Sequence, residues 1–512
     1  MSDFVDSWGI TLAVFLPVVG AAVMLLIPRE MEKVHKYVAL GVSLATLGVG
    51  VWLLASFDYD RSGDLQFVVD RSWIDVINSR YIVGIDGISL PLIALTVLIV
   101  PLCIIYSLNH VPDPGNPKAF MILILILETG MIGTFVAQDL ILFFVFFEVV
   151  LLPMYFLIGV WGGPDRQYAA IKFFLFTLFG SALMIVSFLA LYFLGAETFD
   201  MRALPEAAVG ISTTAQLWIF GGMFLGFGIK VPLFPFHTWL PDAHTQAPTV
   251  GSVILAAVLL KLGTYGFVRI AIPILPEAAA DWAPWIGALA VIGIIYGALA
   301  CLAQTDMKRL IAFSSVAHMG FTMLAISTLT PFGINAAIMG MVAHGLITGM
   351  LFFIAGSVKE RYHTLDIAKL GGILKQAPHL GWIFGLCAMA SLGLPGLAGF
   401  WGEFPAIMSA YNPAPSLPVE TFRTYMIIAA IGTVFAAGYL LWLYQRTAFG
   451  EPKAEFADTP IKDVTALEWV AWLPLLILIV LIGLFPNIVF SVTDDAVLSN
   501  TLSAIATGVG AG

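Results

Sequence analysis

The sequence predicts an all-α polytopic membrane protein of about fourteen transmembrane helices. Three observations lead there. Of 512 residues, 60% are apolar and only 11% charged, against roughly 25% charged in ordinary soluble domains; mean hydropathy is +0.96. The apolar residues fall in runs of about 20, the length that crosses a bilayer. The basic residues then sort by side when the runs are threaded through a membrane. This composition excludes a soluble enzyme, a nucleic-acid binder and a disordered chain.

Taken in order, the spans lie near 8–27, 34–56, 86–108, 118–137, 139–160, 168–194, 215–238, 247–269, 283–303, 309–329, 333–357, 379–410, 424–446 and 467–489. The leading segment is acidic and lacks the basic region of a cleaved signal peptide, so the first run reads as a retained helix. Loops are short; the two longest cover about 57–85 and 447–466. An even number of spans puts both termini on one side. The loops then place fifteen of the 23 Lys and Arg on one face, from Arg29 to Lys462, and six on the other: Arg61, Arg71, Arg80, Arg202, Arg269 and Arg423. The richer face is expected in the cytoplasm. Both termini are then expected on the periplasmic side of a bacterial inner membrane. Lys230 and Lys261 belong to neither set because they lie inside spans.

Cys103, Cys301 and Cys387 are isolated in apolar segments, with no CxxC or His/Cys cluster. No Walker loop or strand-to-helix GxGxxG appears. Neither a disulfide, a metal site nor a redox cofactor is expected in this chain.

The informative residues are the ionisable ones within the spans. Glu128 is in span 4, Glu148 in span 5, Lys230 in span 7, Lys261 in span 8, His318 in span 10, His344 in span 11 and Glu403 in span 12. Each raises the insertion free energy of its helix by about 1–3 kcal/mol or more. Seven of them, of both signs and with two histidines, point to a polar route through the bundle. Blander readings exist. Glu148 and Lys230 could form a static ion pair, Lys261 could snorkel, and a histidine can be a satisfied core residue. Glu128 reads equally well as structural. His237 and His244 flank a loop and either serve proton uptake or cap it. Asp139 reads as a solvated loop acid.

Prolines mark where the route is interrupted. Pro232 and Pro235 follow Lys230 and remove backbone donors, which predicts a break in span 7 just after the lysine. Span 12 repeats the device, with Pro395, Gly396 and Gly399 before Glu403. Interrupted helices in corresponding halves are the usual pointer to an ion site between repeats. The two breaks lie five spans apart, an odd number, so spans 4–8 and 9–13 are expected to form two inverted five-helix units. The expected segments are 1–116 (three N-terminal helices), 117–280 and 281–447 (the two repeats), and 448–512 (a loop and C-terminal helix). For Lys230, burial penalises the charge and a nearby Glu148 offsets that penalty. Whether the lysine keeps its proton then depends on their separation. Histidine, titrating near neutrality, suits a relay between the halves.

Three stretches carry a resemblance: LFFVFFEVVLLPMYFLIGVWGG (142–163), KVPLFPFHTWLPDAHTQAPTVGSVILAAVLLKLGTYGFVR (230–269) and MKRLIAFSSVAHMGF (307–321). They closely resemble the antiporter-like membrane subunits of complex I, the NADH:quinone oxidoreductase, and the resemblance covers nearly the whole chain. Two features favour the M-type branch: the chain ends soon after span 14, and span 12 carries Glu403 where L- and N-type subunits and the related Mrp Na⁺/H⁺ antiporter chain usually have lysine. The resemblance implies a proton-translocating subunit of a respiratory enzyme. Glu148, Lys230, Lys261, His318, His344 and Glu403 match the family's relay positions. It also implies that NADH, FMN, iron–sulfur clusters and quinone belong to partner subunits. Antiporter-like subunits L and N are the expected neighbours. An Mrp-type antiporter subunit is the alternative.

Overall fold

The computed structural model describes residues 2–502. The helices α1 (Ser2–Leu26) and α2 (Glu32–Ser56) form the first pair. The segment taken as a plain loop, 57–85, instead contains an antiparallel hairpin, β1 (Gln66–Ile74) and β2 (Ser79–Ile85). Its strands are rich in β-branched and aromatic residues (Phe67, Val68, Val69, Trp73, Ile74, Tyr81, Ile82, Val83), and Asn78 takes the left-handed conformation at the turn (φ 51°), a combination that favours paired strands.

The chain continues through α3 (Leu90–Ser107), α4 (Pro117–Val136), α5 (Leu140–Val149), α6 (Leu151–Trp161), α7 (Arg166–Leu194) and the short α8 (Leu204–Ala208). Next come α9 (Thr213–Lys230) and α10 (Trp239–Gln246). One continuous helix, Thr249–Ile274, contains α11 (Thr249–Ile254), α12 (Leu260–Gly266) and α13 (Ile272–Ile274), separated by π turns at Leu255–Leu259 and Phe267–Ala271. The second half holds α14 (Pro276–Leu302), α15 (Met307–Ser327), α16 (Pro331–Tyr362), the short α17 (Ile373–Gln376), α18 (Pro378–Ser391), α19 (Ala398–Ser409) and α20 (Val419–Ala448). The described chain closes with α21 (Ala466–Leu484) and α22 (Asn487–Ala496). Span 14 was expected to run to 489; Pro486 ends it earlier, because proline cannot continue the hydrogen-bond ladder. The last part of the 448–512 segment lies outside the described residues.

Among the described residues, 12 helices are long and apolar enough to cross a membrane. Two further crossings are interrupted, α9/α10 and α18/α19, and with them the fourteen expected spans are present. Helix 249–274, α15 and α16 form a central column that is almost wholly buried, whereas most residues of α2, α7 and α20 are exposed or half-buried. An apolar helix exposed around the rim of a bundle faces lipid. Polar caps close helix ends: Asp139 caps α5, Asp306 caps α15, and Thr465 with Glu468 forms a capping box on α21, satisfying backbone groups that lipid could not. The helix ends form two opposite faces. We call them the hairpin face, where β1–β2 sits, and the basic face, where α15 begins and α16 ends.

Candidate functional site

The predicted break is where the prolines placed it. Helix α9 ends at Lys230, and the carbonyl of Ile229 is taken by Trp239 Nε1 at 2.9 Å. Lys230 is buried, and its Nζ has no hydrogen-bond partner. It stands 4.8 Å from the centroid of Phe147, over the ring face, an attractive cation–π arrangement. Glu148, half-buried on α5, interacts electrostatically with it and faces Ser181. Yet among the described residues no carboxylate lies within 4.0 Å of Lys230 Nζ, so the pair is open and the static ion pair is not formed. Gly263 lets α12 approach this lysine closely: a Cβ there would lie 2.5 Å from the carbonyl of Phe227 and 3.1 Å from Lys230 Cβ. The missing side chain lets α9 lie directly against α12.

Beyond Lys230 the polar groups form a file. Lys261 is fully buried midway along the central helix, between the two π turns. Its Nζ donates to the carbonyl of Ala256 at 2.5 Å and lies 2.7 Å from His344 Nδ1. The π turn widens the helix at 255–259, a local distortion frequent at functional sites. The rings of His344 and His318 are 6.0 Å apart, edge to face. His318 Nδ1 lies 2.6 Å from Glu403 Oε1, and its Nε2 lies 3.2 Å from both Ser391 Oγ and Tyr439 OH. Four helices, α15, α18, α19 and α20, thus converge on His318. A cavity of about 20 Å³ lies between His318, His344 and Glu403, room for about one water. Glu403 reaches His318 because α19 meets α16 glycine to glycine: a Cβ on Gly402 would lie 2.6 Å from Gly340 Cα. The order along the file is Lys261, His344, His318, Glu403. The sequence order, with His318 before His344, is not the spatial order.

The remaining candidates divide. His244 is fully buried, stacked on Phe352 at 4.4 Å, with both ring nitrogens unpartnered. It lies within electrostatic reach of Lys261 and Lys308, inside the bundle rather than capping a loop. His237 is buried against Phe234 and Tyr296. Glu128 is fully buried, with neither carboxylate oxygen hydrogen-bonded, and stands apart from the file. Asp139 is not the solvated loop acid expected. It is fully buried, accepts from Ser79 Oγ and the Arg80, Ile141 and Leu142 amides, and so ties the hairpin to α5.

Two basic residues assigned to loops are also buried. Lys308 is 5% exposed and donates to the carbonyl of Ala247 at 2.5 Å. Arg269 is 7% exposed within helix 249–274, and its Nη2 donates to Asp86 Oδ1 at 2.5 Å. Each is close to the end of an apolar run, where a sequence pattern reads a basic residue as interfacial; only packing reveals the burial. Tyr439 and Ser391, the other partners of His318, carry no sequence signal beyond polarity within an apolar run. Lysine, imidazole and carboxylate are groups that take up and release protons; here Lys261 lies within hydrogen-bond distance of His344, and His318 of Glu403, with a 6.0 Å ring-to-ring step between the two pairs.

Comparison with known proteins places the chain. Residues 137–429 match the family model "NADH:quinone oxidoreductase/Mrp antiporter, TM", and residues 65–134 match "NADH-ubiquinone oxidoreductase chain 4, amino terminus". The chain is 41% identical to NADH-quinone oxidoreductase subunit M of Rhodobacter capsulatus over 95% of both proteins. The chain belongs to the NADH-quinone oxidoreductase subunit M family. Its fold matches a chain of respiratory complex I from Thermus thermophilus, at 29% identity and TM-score 0.85, with 97% of this chain and 99% of that one covered. A chain of the Mrp complex from Dietzia shares the fold alone, at 21% identity and TM-score 0.84, and this chain spans 52% of it. Subunit M family membership agrees with Glu403, the acid that set the chain apart from the L-, N- and Mrp-type sequences.

Proposed function

We propose that this chain is a proton-translocating membrane-arm subunit of NADH:quinone oxidoreductase, moving protons through Glu148, Lys230, Lys261, His344, His318 and Glu403. The observation that carries the reading is the buried file Lys261–His344–His318–Glu403, contiguous except for one 6.0 Å ring-to-ring step. An inert scaffold has no use for titratable groups aligned across its centre, each insertion opposing stability. The family supplies the context: NADH, FMN, iron–sulfur clusters and quinone reside in other subunits, and the neighbours are antiporter-like subunits L and N. Residues 117–280 and 281–447 serve as two inverted repeats with the file at their junction. The basic face is cytoplasmic and both termini are periplasmic, in a bacterial inner membrane.

In this reading the neighbouring subunit closes or opens the gap between Glu148 and Lys230. A closed gap favours the charged lysine and an open gap favours release. The proton then passes to Lys261, whose Nζ lies 2.7 Å from His344 Nδ1. His344 and His318 bridge to Glu403 through the water-sized cavity, and Glu403 releases to the periplasm. The test is Lys261→Met in sealed vesicles of the assembled complex, scoring protons moved per NADH oxidised. A lower proton yield is expected; an assembled variant with wild-type yield would exclude the relay. The second reading, an Mrp-type Na⁺/H⁺ exchanger, rests on the shared fold. It predicts Na⁺-dependent proton movement without NADH and co-purification with small hydrophobic antiporter chains instead of redox subunits.

A further inference from the structure

Helix 249–274 carries a second set of polar groups below Lys261. Lys261, Tyr265 and Arg269 follow at four-residue steps, so they lie along one side of the helix, about 12 Å from end to end. The Tyr265 hydroxyl accepts from Arg269 Nε at 3.1 Å and donates to the carbonyl of Phe135 at 2.8 Å. Asp86, fully buried, receives Arg269 Nη2, the amides of Ile88 and Ser89, and Asn500 Nδ2 at 2.7 Å. Asn500 also donates to the carbonyl of Gly63. Beyond Arg269 a cavity of about 740 Å³ occupies the hairpin face, lined also by Glu206, Glu277 and Gln138, whose buried Nε2 has no partner.

The opposite end of the same region is closed differently. On the basic face a cavity of about 720 Å³ reaches Lys308, which holds the carbonyl of Ala247. Between Lys308 and Lys261 stands His244, with both nitrogens free. The chemistry of the two closures is unlike. An ammonium can lose and regain a proton. A guanidinium stays charged and offers only donors, so it cannot accept a proton from water and pass it on.

We propose that Arg269, anchored by Asp86, is the proton seal on the hairpin-face end of the axis, setting a group that cannot titrate between the outer cavity and the side of the helix that carries Tyr265 and Lys261. A proton reaching Lys261 is thereby denied the short way out and continues along His344 and His318 to Glu403. The proposal rests on the relay reading above, but its test is independent of pumping. The complex is reconstituted in sealed vesicles, inhibited at the quinone site, and its passive proton conductance is read after an imposed pH step.

The deciding variant is Arg269→Lys, which keeps the positive charge and can still bond Asp86 but replaces a group that cannot titrate with one that can. The expected result is assembled complex with near wild-type uncoupled quinone reductase activity and a passive conductance several-fold above wild type. Adding Lys261→Met to that variant should restore tightness. Vesicles of R269K as tight as wild type would overturn the proposal. Tyr265→Phe and Asn500→Ala loosen the anchor while retaining the guanidinium, and both should stay tight. A leak in either would assign the seal to packing rather than to Arg269, and would overturn the proposal even if R269K does not assemble. Should the relay reading itself fail, K261M alone would pump at full yield while the conductance result for R269K stands unaffected.

Discussion

The junction of His318 and Glu403 gives the most quantitative prediction. Glu403→Asp withdraws the carboxylate by one methylene, so the contact of 2.6 Å opens to about 4 Å. With His318 protonated and an effective dielectric of about 20, the attraction falls from about 6 to about 4 kcal/mol. A difference of about 2 kcal/mol changes occupancy roughly thirtyfold. The cavity of about 20 Å³ beside the pair can admit one bridging water, so E403D should keep slow transfer. Glu403→Gln keeps the size but cannot hold the charge, and should abolish transfer. The assay is a pH-sensitive dye in vesicles of assembled complex, normalised to NADH oxidised. The expected order of proton yield is wild type, then E403D, then E403Q. Wild-type yield in both assembled variants would refute the placement of Glu403 at the end of the file.

Three further outcomes follow from specific contacts. Gly263→Ala sets a methyl 2.5 Å from the Phe227 carbonyl, which forces α9 and α12 apart by about 0.9 Å at a cost of about 1–3 kcal/mol; proton yield should fall while uncoupled quinone reduction survives. Glu468→Ala removes the buried carboxylate that holds half-buried Arg361 at 2.7 Å, and with it the capping box of α21. Arg361 keeps the carbonyls of Lys462, Ser357 and Asp463, so stability should drop by about 1–3 kcal/mol, read as a lower dissociation temperature of the complex, and an unchanged temperature would contradict it. In the α3–α4 loop, burial alone would lower the pKa of His110, but Glu360 at 2.8 Å and the Tyr106 carbonyl outweigh it and raise the value above the ordinary 6.5. This link is complete below 6.5 and is lost as pH rises through the raised value. Amide protection in residues 108–116, measured as exchange relative to the intrinsic rate at each pH, should therefore fall at alkaline pH, and that fall should vanish in Glu360→Gln.

The sequence carried the architecture because the bilayer imposes it. A crossing needs a continuous apolar run and every backbone group bonded internally, so the fourteen spans could be read from hydropathy. The break after Lys230 followed from Pro232 and Pro235, whose effect is local. Lys230, Lys261, His318, His344 and Glu403 stood out for the same reason: a titratable side chain in an apolar run has an insertion cost that only partners or function offset.

What depended on the tertiary structure was adjacency. His344 touches Lys261 and His318 touches Glu403 because α15, α16, α19 and helix 249–274 meet at glycines and π turns, and no spacing along the chain encodes which helices meet. Lys308 and Arg269 read as interfacial because hydropathy sees only their position near the end of a run; other helices cover them. Asp139 reads as a loop acid until the hairpin, formed by strands distant from it in sequence, closes over it. The opening between Glu148 and Lys230 is likewise a property of packing. Composition determines that charges are buried in this protein, and three-dimensional contact decides which of them meet, since a proton crosses distances of a few ångströms that sequence separation does not measure.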